Sequence, residues 1–248
     1  MPPKIGTVIL FMLGSIAAQA QSTNFMPMVY VEGGKFDMGS ISYKSERPVH
    51  SVTLRGFWIG KYEVTVAQYR AYCNATGASM PKTPDWGWSD DHPIVNVNWS
   101  NAKEFADWLS RKTGKRYSLP TEAQWEYAAR GGKRSQGKTY AGSNSLGIVG
   151  WFSTNSGNQA HAVRQKQANE LGIYDMSGNV CEWCRDWYAR YSTLSQQDPI
   201  GSSIGTLRVL RGGSWYDFDL RCRVAYRNRA APDNCINFVG FRLVSQSQ

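Results

Sequence analysis

The chain has 248 residues, enough to bury a sizeable hydrophobic core, and we expect one domain to form around that core. Its 10 Trp, 13 Tyr and 24 Gly indicate a turn-rich folded protein, and they exclude a helical bundle or a disordered chain. The formal net charge of +9 could attract anionic partners. However, basic residues never form a run of four, so we expect no dedicated nucleic-acid site.

The N-terminal segment MPPKIGTVILFMLGSIAAQA, residues 1–20, has the pattern of a secretory signal cleaved after Ala20. Its apolar run, Ile5 to Ala18, is shorter than the roughly 20 residues of a membrane-spanning helix. A membrane anchor is therefore the weaker interpretation, and we expect no membrane span. The sequence predicts export to a periplasmic, cell-surface or secreted location, with a short linker at residues 21–27 and one domain at residues 28–248.

Short strands and long loops are predicted for much of the remaining chain. Alternating apolar residues and Gly turn points indicate strands within Val29–Ser40 and Val52–Thr65. Residues 75–93 and 132–168 are rich in Gly, Ser, Asn, Asp or Pro and are predicted to be loops, with one short strand at Val149–Phe152.

Three segments are predicted to be helical, because each has an N-cap residue at its start or just before it: Val66–Asn74, Ser100–Thr113 and Thr121–Gly131. Thr65 and Ser100 are the expected N-caps of the first two. Thr121 with Gln124 has the form of a capping box, and Gly114 is expected to end the second helix in a left-handed conformation.

The five cysteines are an odd number, so at least one stays unpaired within a monomer: Cys73, Cys181, Cys184, Cys222 and Cys235. An exported protein can form disulfides. The pair Cys181-x-x-Cys184 also has the spacing of a redox or zinc motif. No second pair of this kind occurs and the chain has only three His, so we do not expect zinc.

The segment Asn169–Trp187, NELGIYDMSGNVCEWCRDW, combines acidic and amide side chains with a turn. Asp175, Gly178, Asn179 and Glu182 are spaced so that a tight loop could surround a hard cation, for which calcium is the natural candidate. The alternative is that these residues only form a turn between two strands, with Gly178 supplying a positive φ.

Several ordered motifs resemble the formylglycine-generating enzyme, or sulfatase-modifying factor, family: VYVEGGKFDMGS at Val29–Ser40, ERPVHSVTLRGFWIGKYEVTVAQY at Glu46–Tyr69, HPIVNVNW at His92–Trp99, LPTEAQWEYAARGG at Leu119–Gly132, LGIYDMSGNVCEWCRDW at Leu171–Trp187, RVLRGGSW at Arg208–Trp215 and GFRLV at Gly240–Val244. The resemblance implies an α+β, modified C-type-lectin-like fold with much irregular structure, short twisted antiparallel sheets and a few helices.

The resemblance also implies a metal set. It places a structural Ca²⁺ on the side chains of Asp175 and Glu182 and the carbonyls of Gly178 and Val180. In the catalytic members a pair of cysteines after the GGS motif binds copper(I), which prefers thiolate ligands. Here Asp217 stands where the first of them is expected and Cys222 has no secure counterpart, so we do not expect copper.

The same resemblance brings Cys184 and Cys222 close enough for a disulfide, with Cys181 pointing the other way. Residues three apart on an extended strand project to opposite faces, so Cys181 and Cys184 are not expected to pair with each other. Without the copper thiolates, Ser214 of the GGS motif is expected to serve only as a strand or turn residue.

We therefore expect a non-catalytic, ligand-binding protein of this family, acting as a monomer on a protein or glycan. The alternative is a copper-dependent oxidoreductase that generates formylglycine. The segment Tyr216–Phe238 resembles the variable region of diversity-generating retroelement proteins, because framework pieces enclose apparently arbitrary residues. The segment also lacks the residue types that mutation of adenines in Asn codons cannot produce: Lys, Glu, Gln, Met and Trp.

The expected ligand-binding residues form one exposed face that mixes aromatic and short polar side chains, a composition suited to recognition. The alternative is that the aromatic side chains fill the core and only the Asp and Asn side chains are exposed. The predicted face comprises Tyr216, Asp217, Phe218, Asp219, Tyr226, Asn228, Ala230, Asn234, Ile236, Asn237 and Phe238.

Overall fold

The computed structural model describes residues 25–246, so the predicted signal at residues 1–20 lies outside the described residues. Within that range short strands alternate with a few helices. The strands are β1 (Met28–Val31), β2 (Gly34–Met38), β3 (His50–Leu54), β4 (Phe57–Gly60), β5 (Tyr117–Ser118), β6 (Cys181–Trp187), β7 (Gln196–Gln197), β8 (Arg208–Arg211), β9 (Asn228–Ala230), β10 (Val239–Gly240) and β11 (Val244–Ser245). The helices are α1 (Val66–Thr76), α2 (Trp99–Thr113), α3 (Glu122–Ala129) and α4 (Leu146–Val149).

The strands between residues 25 and 246 assemble into three small sheets, with the orders β1-β4-β11-β5, β10-β6-β8-β9 and β2-β3-β7. Most pairings are antiparallel, as expected, but β10 with β6 and β3 with β7 are parallel. The last strand returns to the first part of the chain, because Val244 of β11 pairs with Ile59 of β4. The mixed, loop-rich architecture confirms the predicted α+β fold class.

The predicted helices are confirmed, and two of the three predicted N-caps are correct. Thr65 caps α1 and Thr121 caps α3, each in a capping box with the Gln three residues on. The third prediction is wrong, because Asn98 caps α2 where Ser100 was expected. Gly114 ends α2 with a φ of 74°, as predicted. The expected strand at residues 149–152 is absent, and the short helix α4 ends there instead.

Aromatic packing builds the core between the helices and the second sheet. Tyr69 of α1 stacks on Phe105 of α2 with ring centroids 5.8 Å apart, and Phe105 meets Phe241 edge-on at 5.5 Å. A second buried cluster packs Trp125 of α3 with residues of β2, β3 and β4, including Val52. Burying such side chains supplies much of the driving force for folding.

A network of buried charges lies between α3 and β8. Arg211, at the end of β8, is fully buried and donates to Glu122 at 2.8 Å and to Glu126 at 2.6 Å. Arg227 donates to the two oxygens of Glu122 at 2.6 and 2.7 Å. Buried charges are costly unless they are paired and hydrogen-bonded, so these contacts specify where α3, β8 and the following loop lie.

No helix within residues 25–246 is long and apolar enough to cross a lipid bilayer.

We predict that Arg211→Met lowers the free energy of unfolding by about 3 to 5 kcal/mol, because it leaves Glu122 and Glu126 with less compensation in the interior. Urea denaturation measures the change. The matched control is Arg55→Met, which removes the surface ion pair of Arg55 with Asp198 and is expected to cost about 1 kcal/mol or less. Equal costs for the two variants would contradict the structural role of the buried network.

Candidate functional site

The loop of residues 212–227 follows β8 and is held at both ends by arginine side chains. Arg211 immediately precedes the loop and Arg227 ends it, and both belong to the buried network. Between them Arg223 donates to the fully buried Glu46 at 2.6 Å. Each guanidinium contacts a carboxylate far away in sequence, so the loop cannot move as a whole without breaking buried ion pairs.

Asp217, inside this loop, points into the protein. It is only 4% exposed, and one carboxylate oxygen accepts a hydrogen bond from the hydroxyl of Ser214 at 2.7 Å. The same oxygen accepts from the thiol of Cys181 at 3.7 Å, and the other oxygen accepts from Arg221 at 3.2 Å. The prediction that Asp217 lies on the exposed face is therefore wrong, because three donors draw its carboxylate inward. Ser214, expected to be only a strand or turn residue, contributes one of these donors.

Three exposed apolar residues of the loop, together with half-buried Phe238, are here called the aromatic face: Tyr216, Phe218, Leu220 and Phe238. The first three are 61%, 69% and 52% exposed. Tyr216 stacks on Phe238 with ring centroids 5.8 Å apart and an interplanar angle of 15°. Buried Trp215 supports Tyr216 from below in an edge contact at 5.6 Å. The alternative that these aromatics fill the core is thereby wrong for Tyr216 and Phe218.

A cavity of about 460 Å³ adjoins the aromatic face. Phe218 and Asp219 line one side of it, and the side of α4 and the following loop lines the other. The remaining lining residues are Tyr140, Asn144, Ser145, Leu146, Gly147, Phe152 and Thr154. The surface thus combines exposed apolar side chains with an adjoining concave cavity.

The other residues of the predicted face are arranged less uniformly. Asn234 is exposed, whereas Asn228, Ile236 and Asn237 are half-buried. Half-buried Tyr226 packs its ring edge-on against Tyr43, with centroids 6.4 Å apart.

Ala230 is 8% exposed and packs into the main core, so its place on the face is wrong. It lies in β9, whose pairing with β8 turns its small side chain inward. Leu220 and the cavity residue Tyr140 were not predicted for the face, because neither stands out from neighbouring apolar residues by spacing.

Asp217 stands where the family resemblance implies the first cysteine of a copper pair. Cys222 is buried beside Gly213, which has a φ of 69°, and a Cβ at Gly213 would lie 2.6 Å from the sulfur of Cys222. Burial, and then the nearby charge of Asp217, raise the pKa of the thiols of Cys181 and Cys222. These thiols therefore stay protonated at neutral pH, unlike activated cysteines.

The expected pairing of Cys184 with Cys222 is wrong. All five cysteines are free thiols. Cys184 packs in the core cluster around Trp125, whereas Cys222 packs beside Tyr140 in a separate cluster. Cys181 and Cys184 do face opposite sides of β6, as the strand geometry predicted.

The four residues expected to bind calcium are all buried, but Glu182 already has a cationic partner. Its two oxygens accept from Arg242 at 2.6 and 2.7 Å, and one also accepts from the indole of Trp125 at 2.8 Å. Gly178 and Val180 lie in the intervening loop, with a φ of 90° at Gly178 as the turn interpretation required. Glu182 can therefore contribute to a cation site only by sharing its charge with Arg242.

Glu63 is the nearby acidic residue that the sequence analysis missed. It is fully buried, and neither of its oxygens has a hydrogen-bond partner among the described residues. Asp175 is also buried, and its Oδ1 is likewise unpartnered, while its Oδ2 accepts from the backbone N–H of Arg164 at 2.8 Å. The two carboxyl groups are close enough to share a proton. Because unpaired buried carboxyl oxygens are costly, this region accommodates either such a proton or a bound cation.

The pKa values in this region also indicate that the two carboxyl groups lack a cationic partner among the described residues. Burial, and then the charge of Asp175, raise the pKa of Glu63 well above its usual range. Burial also raises the pKa of Asp175 to about 6. Within residues 25–246 no three His, Cys, Asp or Glu side chains converge on a point suited to a metal. Any calcium would thus depend on Glu63, Asp175 and backbone carbonyls.

Comparison with known proteins places the whole domain in context. A family model of the sulfatase-modifying factor enzyme 1-like domain matches residues 14–247. The formylglycine-generating enzyme of Streptomyces coelicolor is 33% identical over 299 residues, which cover 93% of this chain and 92% of the enzyme. The serine/threonine-protein kinase Pkn1 of Chlamydia trachomatis is 34% identical over 244 residues, which cover 87% of this chain but only 37% of the kinase.

A solved structure shows the same fold. Treponema denticola variable protein 1 superposes with a TM-score of 0.80 and 29% sequence identity, covering 89% of this chain and 95% of that protein. The predicted family resemblance and the modified C-type-lectin-like fold are thus confirmed.

We predict that Glu63→Gln stabilises the metal-free protein at pH 8. A carboxyl whose pKa is raised on folding contributes stability at low pH and loses it as the pH rises through the folded-state pKa, whereas Gln does not titrate. The expected gain in the free energy of unfolding is about 1 to 3 kcal/mol, measured by urea denaturation in EDTA.

The second arm of this experiment adds calcium. At a hundredfold excess over the dissociation constant, binding adds roughly 2.7 kcal/mol to the parent. Glu63→Gln is expected to gain less, whereas the control Glu32→Gln, on the surface, is expected to gain as much as the parent. If calcium stabilises neither the parent nor the control, no calcium site exists here.

Proposed function

Because the chain belongs to the sulfatase-modifying factor enzyme 1-like domain family, we propose that it uses this scaffold to bind a macromolecular ligand without catalysis. The ligand is a protein or a glycan, and the aromatic face with its neighbouring cavity is the contact surface. The observation that carries the proposal is the buried Asp217, whose inward hydrogen bonds hold Tyr216 and Phe218 out in solvent.

Recognition explains why such large apolar side chains remain exposed. Exposed apolar clusters on soluble proteins are often binding sites. Tyr and Phe offer a large contact area with few rotatable bonds, so ordering them on binding costs little entropy. The stack of Tyr216 on Phe238 further restricts the ring before any ligand arrives. The face is therefore pre-organised for contact.

The similarity to Treponema denticola variable protein 1 supports a more specific version of the proposal. In this version, residues of segment 216–238 that face solvent are diversified by a retroelement, while the framework residues stay fixed. Arg223 and Arg227 are the fixed residues, because their ion pairs hold the loop whatever occupies the exposed positions. Phe218 and Asn234, both exposed, are positions where substitution leaves the core intact.

Export and calcium binding complete the proposal. The N-terminal segment supports secretion, which would bring the aromatic face to ligands outside the cytoplasm. Calcium, held by Glu63 and Asp175 with help from the carbonyls of Gly178 and Val180, would act as a structural ion. It would neutralise carboxylates that otherwise have no partner.

The competing function is the copper-dependent oxidation suggested by the similarity to formylglycine-generating enzymes. Cys222 is the one thiol in loop 212–227 that could take part. Burial raises the pKa of this thiol and of Cys181, the other thiol near Asp217, so neither readily forms the thiolate that copper(I) prefers. Binding without catalysis is therefore the better-supported function.

We predict that the double variant Tyr216→Ala with Phe218→Ala lowers the free energy of unfolding by no more than about 1 kcal/mol, since both side chains are exposed. The same variant is expected to lose binding to ligands found on a glycan array or in a displayed peptide library. Urea denaturation and surface plasmon resonance supply the two measurements.

The matched control is the double variant Leu194→Ala with Ile204→Ala, which removes two exposed apolar side chains outside the face. It is expected to fold and bind like the parent. A loss of several kcal/mol in the Tyr216/Phe218 variant would show that these aromatics support the core. Equal loss of binding in both double variants would show that the aromatic face is not the contact surface.

A further inference from the structure

A second cavity, of about 350 Å³, lies apart from the aromatic face. It is enclosed by the end of β6, the start of α3 and the segment of residues 189–202. Arg227 is the only residue of loop 212–227 that lines it. The cavity is therefore a separate site from the one to which the proposed function is assigned.

Most charged groups at this cavity are satisfied within the protein. Glu122 accepts hydrogen bonds from Arg211, Arg227 and the hydroxyl of Tyr191. Besides Glu122, Arg227 donates to the backbone carbonyls of residues 45 and 189. The charges of Glu122 and Arg227 are therefore already paired within the protein.

Asp186 is different, because only one of its two carboxylate oxygens accepts a hydrogen bond. The residue is 5% exposed and lines the cavity. Its Oδ2 accepts from the backbone N–H of Glu122 at 2.9 Å, but its Oδ1 accepts no hydrogen bond from the described residues, and none of their cationic groups lies within ion-pair distance. Burial, and then the charge of Glu122, raise the pKa of Asp186 to about 7.

Gly201 packs directly against the side chain of Asp186. It also lines the cavity, and a Cβ placed there would lie 2.6 Å from Oδ1 of Asp186. Its φ of 77° is a conformation that glycine adopts without strain. Because glycine has no side chain, the segment of residues 189–202 can pack directly against the Asp186 carboxylate.

The opposite charge at the cavity is Arg190. Its side chain lines the cavity and is exposed, and it makes no hydrogen bond or ion pair with the described residues. Apolar lining is also present, from Met38, Ala123 and Pro199 among others. One unpaired acid, one unpaired base and an apolar wall complement a small zwitterion that carries an apolar side chain.

We propose that this cavity binds a free α-amino acid with an apolar side chain, its ammonium group on Oδ1 of Asp186 and its carboxylate toward Arg190. A charged ammonium group gives the buried carboxylate a partner that the protein itself does not supply. The guanidinium of Arg190 offers a fork of donors that matches the geometry of a carboxylate.

The test is isothermal titration calorimetry of the full chain with L-leucine. We expect saturable binding, and roughly tenfold or greater weakening for 4-methylpentanoate, which lacks the ammonium, and for 3-methylbutylamine, which lacks the carboxylate. Asp186→Asn and Arg190→Gln are each expected to weaken leucine binding by roughly tenfold or more. No saturable leucine binding, or equal binding of the three compounds, would overturn the proposal.

Two further variants separate this site from effects on folding and from the aromatic face. Gly201→Ala places a methyl group 2.6 Å from Oδ1 and 2.7 Å from Cβ of Asp186, so it is expected to displace that side chain and to weaken leucine binding. The Tyr216/Phe218 double variant is expected to bind leucine like the parent, because neither residue lines this cavity. Leucine binding that survives Gly201→Ala and Arg190→Gln unchanged would place the ligand elsewhere.

Discussion

The pairing of buried arginines with carboxylates of α3 determines the rest of the structure. Arg211 has no exposed surface, so its charge is tolerated only because Glu122 and Glu126 are both in place. That requirement fixes the end of β8 against α3, and Arg227 ties the far end of loop 212–227 to the same Glu122. The loop that carries the candidate site is therefore closed at its base by ion pairs. Its outer residues take no part in these ion pairs.

Asp217 determines which side chains of this loop face solvent. Its carboxylate satisfies the hydroxyl of Ser214 and the guanidinium of Arg221, and it draws one backbone position inward. Tyr216 and Phe218, on either side, must then face solvent. Asp217 thus has a structural role, because its inward contacts accompany the outward orientation of its two neighbours.

Local sequence signals predicted the helices well, because capping depends on residues only three positions apart. Thr65 with Gln68 and Thr121 with Gln124 are confirmed as capping boxes. At α2 the signal was ambiguous, since Asn98 and Ser100 are both good N-caps. Asn98 forms the cap because Asn101, three residues on, completes a reciprocal pair with it.

The site was less predictable, because its contacts join residues far apart in the chain. Besides its neighbours Ser214 and Arg221, Asp217 contacts Cys181, which lies 36 positions away. Glu182 is paired with Arg242, 60 positions away. No spacing rule connects such residues. Glu63 was missed for the same reason: it lies in a segment that reads as strand and turn, and only the folded chain brings it near Asp175.

We propose centrally that loop 212–227, anchored by the carboxylate of Asp217, presents a binding surface and holds no tight copper(I) site. Titration of the reduced protein with copper(I) against a competing chelator tests this claim most directly. The account predicts that the parent and Cys222→Ser take up the same amount of copper, with no tight site in loop 212–227. One equivalent of tightly bound copper(I) in the parent, lost in Cys222→Ser, would contradict it.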